Sequence, residues 1–393
     1  MLIRHTSDYM PHIMLITGMF SPGGSQRVLS ILANEWTNQG IRITVMALSD
    51  TGEAPFFPFS ADVAVRTLGL QGDSSNALDG AARNIARIRV LRRALRSSKP
   101  DVVISFLDRA NVLTVLATRG LGVPVIISER TDPAGRDIGR SWEILRQLTY
   151  PLADCLVCQG ERPLSYFPEH IRRRGVIIPN PVMLPAGLTG LRIALDRPKP
   201  QRMVASLGSL RREKGFDLLL EAFARLATPH PQWSLTIWGE GPGRSALQAQ
   251  ARALGIERRV RLPGITREPF ARLAEADLFV LSSRVEGFPN ALTEAMSVGL
   301  PVIATDVGAV PGIVRDGVDG IVVPPGDVNA LAAAISRLIG DHRERRRLAN
   351  QAPEVLERFS CEKVMGMWDM LIRGVASLRK DRRLRKYDTA RDF

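Results

Sequence analysis

The feature that most constrains the fold is a regular alternation of short apolar runs with helical stretches, which occurs twice along the chain. A short apolar run between turn residues is typical of a buried strand, and parallel strands need a crossover helix between them. Predicted strands occupy residues 13–17, 41–48, 64–68, 102–106, 124–128, 155–158 and 176–178, and then 203–207, 234–238, 260–262, 278–281, 302–304 and 321–323. This pattern predicts an α/β fold with two doubly wound parallel sheets, in which ligands bind at the carboxyl ends of the strands.

A break in this alternation predicts the domain boundaries. The chain has 393 residues, which is more than one hydrophobic core usually serves. Residues 184–201 are rich in Pro, Gly and charge, as expected of a linker. We therefore predict Rossmann-like domains over residues 1–183 and 202–378, the second ending in a long helix, and a disordered basic tail over residues 379–393. The two domains are expected to face a central cleft.

The stretch SSRVEGFPNALTEAMSV, residues 282–298, combines a predicted helix start with two carboxylates. Pro289 suits the first position of this helix, because its missing N–H has no intrahelical partner there. Free backbone N–H groups at a helix start bind anions. Those predicted to be free belong to Asn290, Ala291 and Leu292.

Glu286 and Glu294 flank this predicted anion site. Carboxylates repel phosphate, so we expect both to accept hydrogen bonds from hydroxyl groups. An anion site between two hydroxyl acceptors suits a nucleotide-sugar. The alternative is an acid near a helix start and an unrelated surface Glu.

Basic residues follow the first predicted strand of the C-terminal half. After Gly208 the loop contains Arg211, Arg212 and Lys214, which are suited to binding phosphate. The chain contains no D-x-D motif, so the sequence predicts that fixed cations and the helix start, rather than a metal ion, neutralise a leaving diphosphate. A solvated cluster of loop charges is the alternative.

Two further turns are rich in glycine. Gly23 and Gly24 follow the first strand, where they would either admit a ligand close to the backbone or form a tight turn. Gly239 begins the sequence GEGPG, which is neither a complete dinucleotide fingerprint nor a P-loop, and we expect this turn to pack near a nucleotide base.

The formal net charge of +13 indicates an acidic partner or surface. Nucleic acid is not expected, because zinc-finger spacing and an aromatic RNP-like strand are absent. Phosphate-bearing substrates and anionic lipid remain. Residues 82–97 contain six arginines between aliphatic residues, which predicts either a helix on an anionic membrane or an amphipathic helix packed on the sheet.

The cysteines, the first twelve residues and the lengths of the apolar runs indicate where the protein acts and whether it binds metal. Cys155 and Cys158 form a C-x-x-C in an apolar run without a second pair or a nearby His, so we expect buried thiols, with a metal or redox role as the alternative. We expect no bound metal ion and no cofactor in this protein. Residues 1–12 lack an apolar signal-peptide core, and no apolar run is long enough to span a membrane. These features predict a cytoplasmic protein, placed at the inner face of the membrane if it binds lipid.

Motifs in both halves resemble one enzyme family. In order, GGSQRV, GSLRREKGFD, WGEGPGRSAL, RVRLPG, EGFPNALTEAMSVGLPVIAT and DGVDGIVVPPGD resemble a retaining family 4 glycosyltransferase of the GT-B fold. The segments KPDVVISFLDRANVLT, GVPVIISERTDP and IPNPV resemble the subgroup that builds bacterial surface polysaccharides and lipid-linked glycans. The resemblance covers residues 13–327 and implies a nucleotide-sugar donor in the C-terminal domain and an acceptor in the N-terminal one.

The resemblance also implies roles for individual residues. Glu286 would orient the donor sugar, Lys214 and Arg211 would stabilise the diphosphate, and Glu294 would hold the ribose. The other implied donor-binding residues are Gly23, Gly24, Gly208, Phe288, Asn290, Ala291, Leu292, Gly239 and Leu262. We expect Asp108, Glu129 and Arg130, in loops after strands of the N-terminal half, to contact the acceptor.

The chain departs from the family pattern at three places. Ser209 stands where the family often has Arg, and Arg130 lies in a turn that often contains His. Pro311 is followed by Gly312 where relatives often have Glu. Alternatives to a transferase are another GT-B enzyme, such as a nucleotide-sugar epimerase or a phosphorylase, and a non-catalytic scaffold of polysaccharide assembly.

Overall fold

The protein is described by a computed structural model that covers residues 11–49, 54–69, 77–185, 187 and 201–388. The chain forms two compact units. Unit 1 consists of Met1–Pro133, Asp137–Ile178 and Val364–Phe393, and unit 2 of Ala134–Arg136 and Pro179–Lys363. Each unit contains one parallel sheet, as the alternation of apolar runs and helices predicts.

Unit 1 is built on a seven-stranded sheet in the order β3-β2-β1-β4-β5-β6-β7. Its strands are β1 His12–Thr17, β2 Arg42–Ala47, β3 Ala64–Thr67, β4 Val102–Phe106, β5 Val125–Ser128, β6 Cys155–Cys158 and β7 Gly175–Ile177. The register pairs Ile13 of β1 with Ile43 of β2 on one side and with Val102 of β4 on the other. Strands β1, β4, β5 and β6 are buried along their whole length because helices cover both faces of the sheet.

The helices of unit 1 connect successive strands. They are α1 Gly24–Asn38, α2 Ala77–Ser98, α3 Asp108–Thr118, α4 Arg140–Thr149, α5 Glu161–Ser165 and α6 Glu169–Arg172, with a 3-10 turn at Tyr150–Leu152. A second 3-10 turn, Pro133–Gly135, begins in unit 1 and ends in the Ala134–Arg136 segment of unit 2. Helix α2 contains the arginine-rich segment. Its Leu91 and Leu95 are buried in the core of unit 1, so α2 packs on the sheet as an amphipathic helix and exposes Arg89, Arg93 and Arg96.

Unit 2 has a six-stranded sheet in the order β10-β9-β8-β11-β12-β13. Its strands are β8 Arg202–Leu207, β9 Trp233–Trp238, β10 Val260–Gly264, β11 Leu278–Leu281, β12 Val302–Thr305 and β13 Ile321–Val323. Strand β8 pairs with both β9 and β11. The loops that follow β8 and β11 therefore lie side by side at the carboxyl edge of the sheet.

The helices of unit 2 follow the same connections. They are α7 Phe216–Ala227, α8 Arg244–Ala253, α9 Pro269–Ala274, α10 Asn290–Ser297, α11 Val310–Ile313, α12 Val328–Gly340, α13 His342–Gln351 and α14 Val355–Arg358, with 3-10 turns at Arg212–Lys214 and Ala352–Glu354. Helix α7 buries Leu219, Leu220 and Phe223 against the sheet, which is the spacing of one helical face. The last helix, α15, spans Cys361–Asp388.

The predicted end of the C-terminal domain is wrong. From Val364 onward, α15 belongs to unit 1, where the ring of Trp368 packs edge-on against Trp36 with centroids 6.2 Å apart. The indole of Trp36 also donates to Asp369 at 3.0 Å. This buried contact, rather than chain order, decides where the helix packs.

Other predicted boundaries also need correction. The long helix predicted to end the second domain starts only at Cys361, after a break where Val182 forms a bridge with Ser360 and donates to the Phe359 carbonyl at 2.8 Å. Unit 2 begins at Pro179, before the predicted boundary at residue 183. Of the predicted linker, only residues 184, 185, 187 and 201 are described. Residues 379–388 are helical and not disordered as predicted, and residues 389–393 lie outside the described part.

Within the described residues, no helix has both the length and the apolar character needed to span a membrane.

Candidate active site

Unit 2 brings together two predicted catalytic residues that are 72 positions apart in the chain. Lys214 lies in the 3-10 turn after β8, and Glu286 lies in the loop after β11. The Lys214 Nζ is 2.6 Å from the Glu286 Oε1, and the side chain of Glu286 is only 8% exposed. The hydroxyl of Ser283 donates to the same carboxylate oxygen at 2.7 Å. Lys214, the predicted phosphate-binding cation, and Glu286, the predicted sugar-binding carboxylate, therefore lie side by side and form an ion pair.

The two loops are held together by a brace that sequence analysis did not identify. Arg284 donates two hydrogen bonds of 2.6 Å to the carboxylate of Asp217, in the first turn of α7. These hydrogen bonds hold the pKa of Asp217 below its usual range. The backbone N–H of Arg284 also donates to the Glu213 carbonyl at 2.7 Å. Arg284 thus fixes both the loop of Lys214 and the loop of Glu286.

Two glycines allow the backbone of these loops to pack closely. Gly215 has a φ of +63°, and a Cβ there would lie 2.0 Å from the Ser282 carbonyl oxygen. Gly308 has a φ of +52°, and a Cβ there would lie 2.0 Å from the Glu286 carbonyl oxygen. A side chain at either position would displace the loop that carries Ser282 or Glu286. Both positions require glycine because of this contact and because L-residues rarely adopt a positive φ.

Helix α10 starts one residue later than predicted. Pro289 is the N-cap residue with an extended backbone (φ −76°, ψ 93°), and Asn290 is the first helical residue. The carbonyl of Pro289 accepts the N–H of Leu292 at 3.0 Å, so the prediction that this N–H lacks a partner is wrong. The side chain of Asn290 accepts from Asn180 at 2.6 Å, a contact that sequence analysis also missed.

The predicted donor-binding residues around α10 differ in their surroundings. Glu294 is buried within α10. Phe288 and Leu292 are core residues, and the ring of Phe288 packs edge-on against Phe359 with centroids 5.5 Å apart. Ala291 is partly buried against the same core. Phe288 and Leu292 are therefore expected to contact a ligand only through their backbone atoms.

Of the remaining predicted residues of unit 2, Gly208 and Gly239 directly follow β8 and β9, and Leu262 lies within β10. The N–H of Gly208 donates to the Trp238 carbonyl at 3.0 Å, and the N–H of Gly239 donates to the Gly264 carbonyl at 2.8 Å. The carbonyl of Leu262 accepts from Arg244 at 2.9 Å.

Two arginines follow Ser209, the position at which the family often has Arg. Arg211 and Arg212 are both exposed in the loop that contains Lys214. The carbonyl of Arg212 accepts from Arg284 at 3.0 Å, whereas Arg211 is the N-cap residue of the 3-10 turn.

In unit 1, the glycine-rich loop after β1 is organised by a side chain that sequence analysis did not single out. Gln26 is buried and donates to the Thr17 hydroxyl at 2.7 Å and to the Met19 carbonyl at 2.8 Å. Gly23 is the N-cap residue of α1 in an ordinary extended conformation (φ −120°, ψ 157°), and Gly24 is the first residue of the helix. A Cβ at Gly23 would meet only the Ser21 hydroxyl, at 3.7 Å.

Glu129, a predicted acceptor contact, is part of a buried network. It is 1% exposed, accepts a hydrogen bond from the hydroxyl of Tyr150 and lies 3.9 Å from the guanidinium of Arg146. Burial and the adjacent carboxylate raise the pKa of Tyr150 well above its usual value. Asn111 donates to the Tyr150 hydroxyl at 3.2 Å and accepts from Ser105 at 2.6 Å.

The other predicted acceptor residues are also buried. Asp108 lies in the first turn of α3 and accepts from the N–H of Arg109 at 2.6 Å. The guanidinium of Arg130 lies 5.1 Å from the ring centroid of Phe106, and its burial lowers the arginine pKa to about 9. These side chains follow β4 and β5, at the carboxyl edge of the unit 1 sheet.

Among the described residues, no group of three or more His, Cys, Asp or Glu could hold a metal ion. Cys155 and Cys158 are buried in β6, and burial raises the pKa of the Cys155 thiol to about 12. Both cysteines therefore behave as small core residues.

Two family models match the chain. The model described as Glycosyl transferase 4-like domain matches residues 23–187, and the model described as Glycosyl transferases group 1 matches residues 191–355. An alpha-1,4-N-acetyl-D-galactosaminyltransferase of Campylobacter jejuni, whose name includes a PP-undecaprenol-linked glycan, is 28% identical over 92% of this chain and 98% of its own. An exopolysaccharide phosphotransferase of Streptomyces coelicolor is 30% identical over 87% of this chain, which spans 38% of that relative's length.

The solved structure of Anabaena HepE in complex with UDP and glucose has the same fold. It matches with a TM-score of 0.74 at 18% identity and covers 93% of this chain and 99% of its own. The two matched family models, which cover successive halves of the chain, and the two parallel-sheet units agree with the motifs found in the sequence. The chain belongs to the family 4 glycosyltransferases of the GT-B fold.

Proposed function

We propose that the protein is a retaining glycosyltransferase that moves a hexose or N-acetylhexosamine from a nucleotide-diphospho-sugar to a glycan or lipid-linked glycan acceptor in surface polysaccharide synthesis. The observation that carries this proposal is the contact of Lys214 with Glu286 beside the start of α10. The names of the relatives support the acceptor class, because one includes a PP-undecaprenol-linked glycan and another an exopolysaccharide.

In this proposal, the donor diphosphate replaces Glu286 as the partner of Lys214. Arg211 supplies a second positive charge from the same loop. Charge grows on the diphosphate as the bond to the sugar breaks, so these cations stabilise the transition state more than the ground state. Glu286, released from Lys214, accepts hydrogen bonds from the sugar hydroxyls, while Glu294 binds the ribose.

The acceptor hydroxyl then attacks the same face of the sugar that the phosphate leaves, and the leaving phosphate takes its proton. This route requires neither a protein nucleophile nor a cofactor, and we propose that it requires no metal ion. The acceptor would be bound by loops of unit 1 that contain Asp108 and Arg130, at the inner face of the cytoplasmic membrane when it is lipid-linked.

The first test of this function is nucleotide binding by calorimetry with UDP, GDP and UMP. Glu294→Ala should weaken UDP binding by roughly ten- to a hundredfold, since losing a hydrogen bond to a charged group costs about 1.5–3 kcal/mol. Glu257→Ala, which changes an exposed acid of unit 2, is the matched control and should bind as the wild type does. Unchanged UDP affinity in a folded Glu294→Ala variant would refute the ribose role.

Turnover of nucleotide-sugars tests the chemistry. Lys214→Ala should lower kcat more than it raises KM, whereas Lys363→Ala, at an exposed lysine of unit 2, should change neither.

NMR of the product should show that the anomeric configuration of the donor is kept. Loss of wild-type activity in EDTA would contradict the metal-independent route. An epimerised nucleotide-sugar or the absence of turnover would instead favour an epimerase or a scaffold.

A further inference from the structure

A cavity of about 460 Å³ lies in unit 1, at the edge of the sheet opposite to the predicted acceptor loops. It is bordered by the end of α2, by the residues that lead into β4 and β5, and by Ala376 of α15. Leu95 and Val123, both buried, supply apolar side chains to its wall. We call it the amino-edge cavity, because it lies where β4 and β5 begin. Its volume is in the range of cavities that bind one small molecule.

Two cations that line the amino-edge cavity lack a partner among the described residues. They are Arg96, in the last turn of α2, and Lys99, directly after this helix, and both are exposed. Neither side chain forms an ion pair or a hydrogen bond with the part of the chain that the structure describes. Asp101, an acid of the cavity wall, accepts the N–H of His12 at 2.7 Å. The wall therefore carries more positive than negative charge, which suits an anionic ligand.

The carbonyl groups at the nearby ends of α2 and α3 do not account for these two cations. Cations near a helix end often serve only to satisfy its last carbonyls. Here other donors do so. The backbone N–H of Lys99 donates to the Leu95 carbonyl of α2 at 3.0 Å, and the guanidinium of Arg92 donates to the Ala117 carbonyl of α3 at 2.9 Å. The side chains of Arg96 and Lys99 are therefore available to a ligand.

The backbone of Lys99 also indicates a use for its side chain. Its φ of +46° lies in the left-handed region, where glycine is the common residue at the end of a helix. An L-residue is strained there, and Pro100, which follows, restricts the backbone further. Glycine at this position would relieve the strain but would remove a cation from the cavity. Strained residues of this kind cluster at binding sites.

We propose that the amino-edge cavity binds a water-soluble organic phosphate, whose phosphate group pairs with Arg96 and Lys99 and whose apolar body lies against Leu95 and Val123. Lipids also combine phosphate with an apolar body, but a cavity of about 460 Å³ fits one small molecule and not a lipid with two acyl chains. This inference goes beyond the proposed function and does not depend on it. The predicted donor and acceptor loops follow the carboxyl ends of strands, whereas this cavity lies where strands begin.

The test is a fluorescence titration of the full chain with 1-naphthyl phosphate, which joins a phosphate to an apolar ring. This probe should bind at least about tenfold more tightly than inorganic phosphate or 1-naphthol, because the first lacks the apolar body and the second lacks the charge. Saturating UDP should not displace the probe, since the predicted diphosphate-binding cations belong to unit 2. Vesicles that contain phosphatidylglycerol should not displace it either.

Lys99→Gly separates binding from stability. It should weaken binding of 1-naphthyl phosphate by about tenfold, as expected for a lost hydrogen bond to a charged group, while its melting temperature stays at or above that of the wild type. Arg96→Gln should weaken binding to a similar extent. Its matched control is Arg93→Gln, which changes an exposed arginine of the same helix that does not line the cavity.

Ala376→Trp tests the cavity without changing its charge. Ala376 is exposed on α15, so the variant should fold. The indole should fill part of the cavity and weaken binding of the probe as much as Lys99→Gly does. Met370→Trp is the matched control, because this side chain of the same helix is 70% exposed and does not line the cavity. It should bind the probe as the wild type does.

Several outcomes would overturn the inference. These are no binding of the probe by the wild type, equal affinity for 1-naphthol, unchanged binding by the folded Lys99→Gly and Arg96→Gln variants, and an equal loss in either matched control. Displacement by UDP would instead place the probe in the donor site, and displacement by anionic vesicles would assign the cavity to lipid. Normal UDP binding without probe binding would refute this inference alone, whereas probe binding without UDP binding would refute only the donor site.

Discussion

The two units both place charged side chains in loops after parallel strands, but they hold them differently. In unit 2 the loops are fixed by backbone contacts and by the Arg284–Asp217 pair, and the side chain of Lys214, which pairs with Glu286, is 23% exposed. In unit 1, Glu129 is enclosed by Tyr150 and Arg146. We therefore expect a carboxylate that follows a strand to be available for ligand binding only where other groups carry the packing.

The strongest test of this comparison is Glu129→Ala. Removing the carboxylate leaves the buried Tyr150 hydroxyl without its acceptor, while Arg146 keeps its ion pair with Glu143. The free energy of unfolding should therefore fall by about 1.5–3 kcal/mol, as expected for a lost hydrogen bond to a charged group. Glu286→Ala should cost about 1 kcal/mol or less, because Lys214 is partly exposed and can be solvated. Denaturant titration of both variants measures the difference.

Glu129→Gln separates packing from ligand binding, since the amide can still accept from Tyr150. A Glu129→Ala variant that keeps its stability but has a raised KM for the acceptor would break the comparison. It would restore the prediction that Glu129 touches the acceptor.

The second test concerns glycine in unit 2. Gly308→Ala forces a Cβ to within 2.0 Å of the Glu286 carbonyl at a positive φ, which should cost at least about 1–3 kcal/mol and displace Glu286. Both the melting temperature and the UDP-sugar turnover of Gly308→Ala should therefore be lower than those of the wild type. Gly312→Ala is the control, because nothing lies within 4 Å of a Cβ there. Equal effects of the two changes would show that the backbone contact at Gly308 is unimportant.

The strands were predictable and the long-range contacts were not. Every predicted strand is present because buried parallel strands appear as apolar runs. The motifs also identified Lys214 and Glu286, although their contact depends on β8 lying next to β11. The Arg284–Asp217 pair and the Asn180–Asn290 contact join distant loops and have no local sequence signal.

The C-terminal helix shows why domain assignment by chain order failed. Trp36 and Asp369 are 333 positions apart, and nothing near either residue in the sequence indicates the other. Similarly, sequence periodicity identified α2 as amphipathic but could not show that its Leu91 and Leu95 pack on the sheet. Apolar side chains remain exposed on α2 at Ile85 and on α4 at Ile144 and Leu148.

The third test concerns glycine in unit 1. Gly23 has a backbone conformation open to any residue and room for a Cβ, so Gly23→Ala should leave stability unchanged or raise it by about 0.4–1 kcal/mol. If a diphosphate approaches this backbone as predicted, UDP binding should nevertheless weaken, by about tenfold for a displaced charged hydrogen bond. Gly374→Ala on α15 is a control with open space around its Cβ. Unchanged UDP affinity in Gly23→Ala would leave the loop as a turn without a ligand role.

The smallest expected effect comes from Glu286→Gln. In the structure the carboxylate of Glu286 is ion-paired with Lys214. A diphosphate that binds Lys214 must therefore first displace this carboxylate, which also repels it. The neutral amide keeps the shape of the side chain and removes the repulsion. UDP should therefore bind Glu286→Gln more tightly, by about tenfold or less for charges near a protein surface, while transfer becomes slower because the sugar loses its charged acceptor. Calorimetry with UDP and steady-state kinetics measure the two effects separately. The affinity for UMP, which lacks the second phosphate, should increase less than the affinity for UDP.

A second control is Glu286→Gln in the Lys214→Ala background. The increase in UDP affinity should be smaller there, because the cation for which Glu286 and the diphosphate compete is gone. Weaker UDP binding by Glu286→Gln would mean that this carboxylate supports the diphosphate rather than competing with it, and the contrast with the enclosed Glu129 of unit 1 would lose its basis.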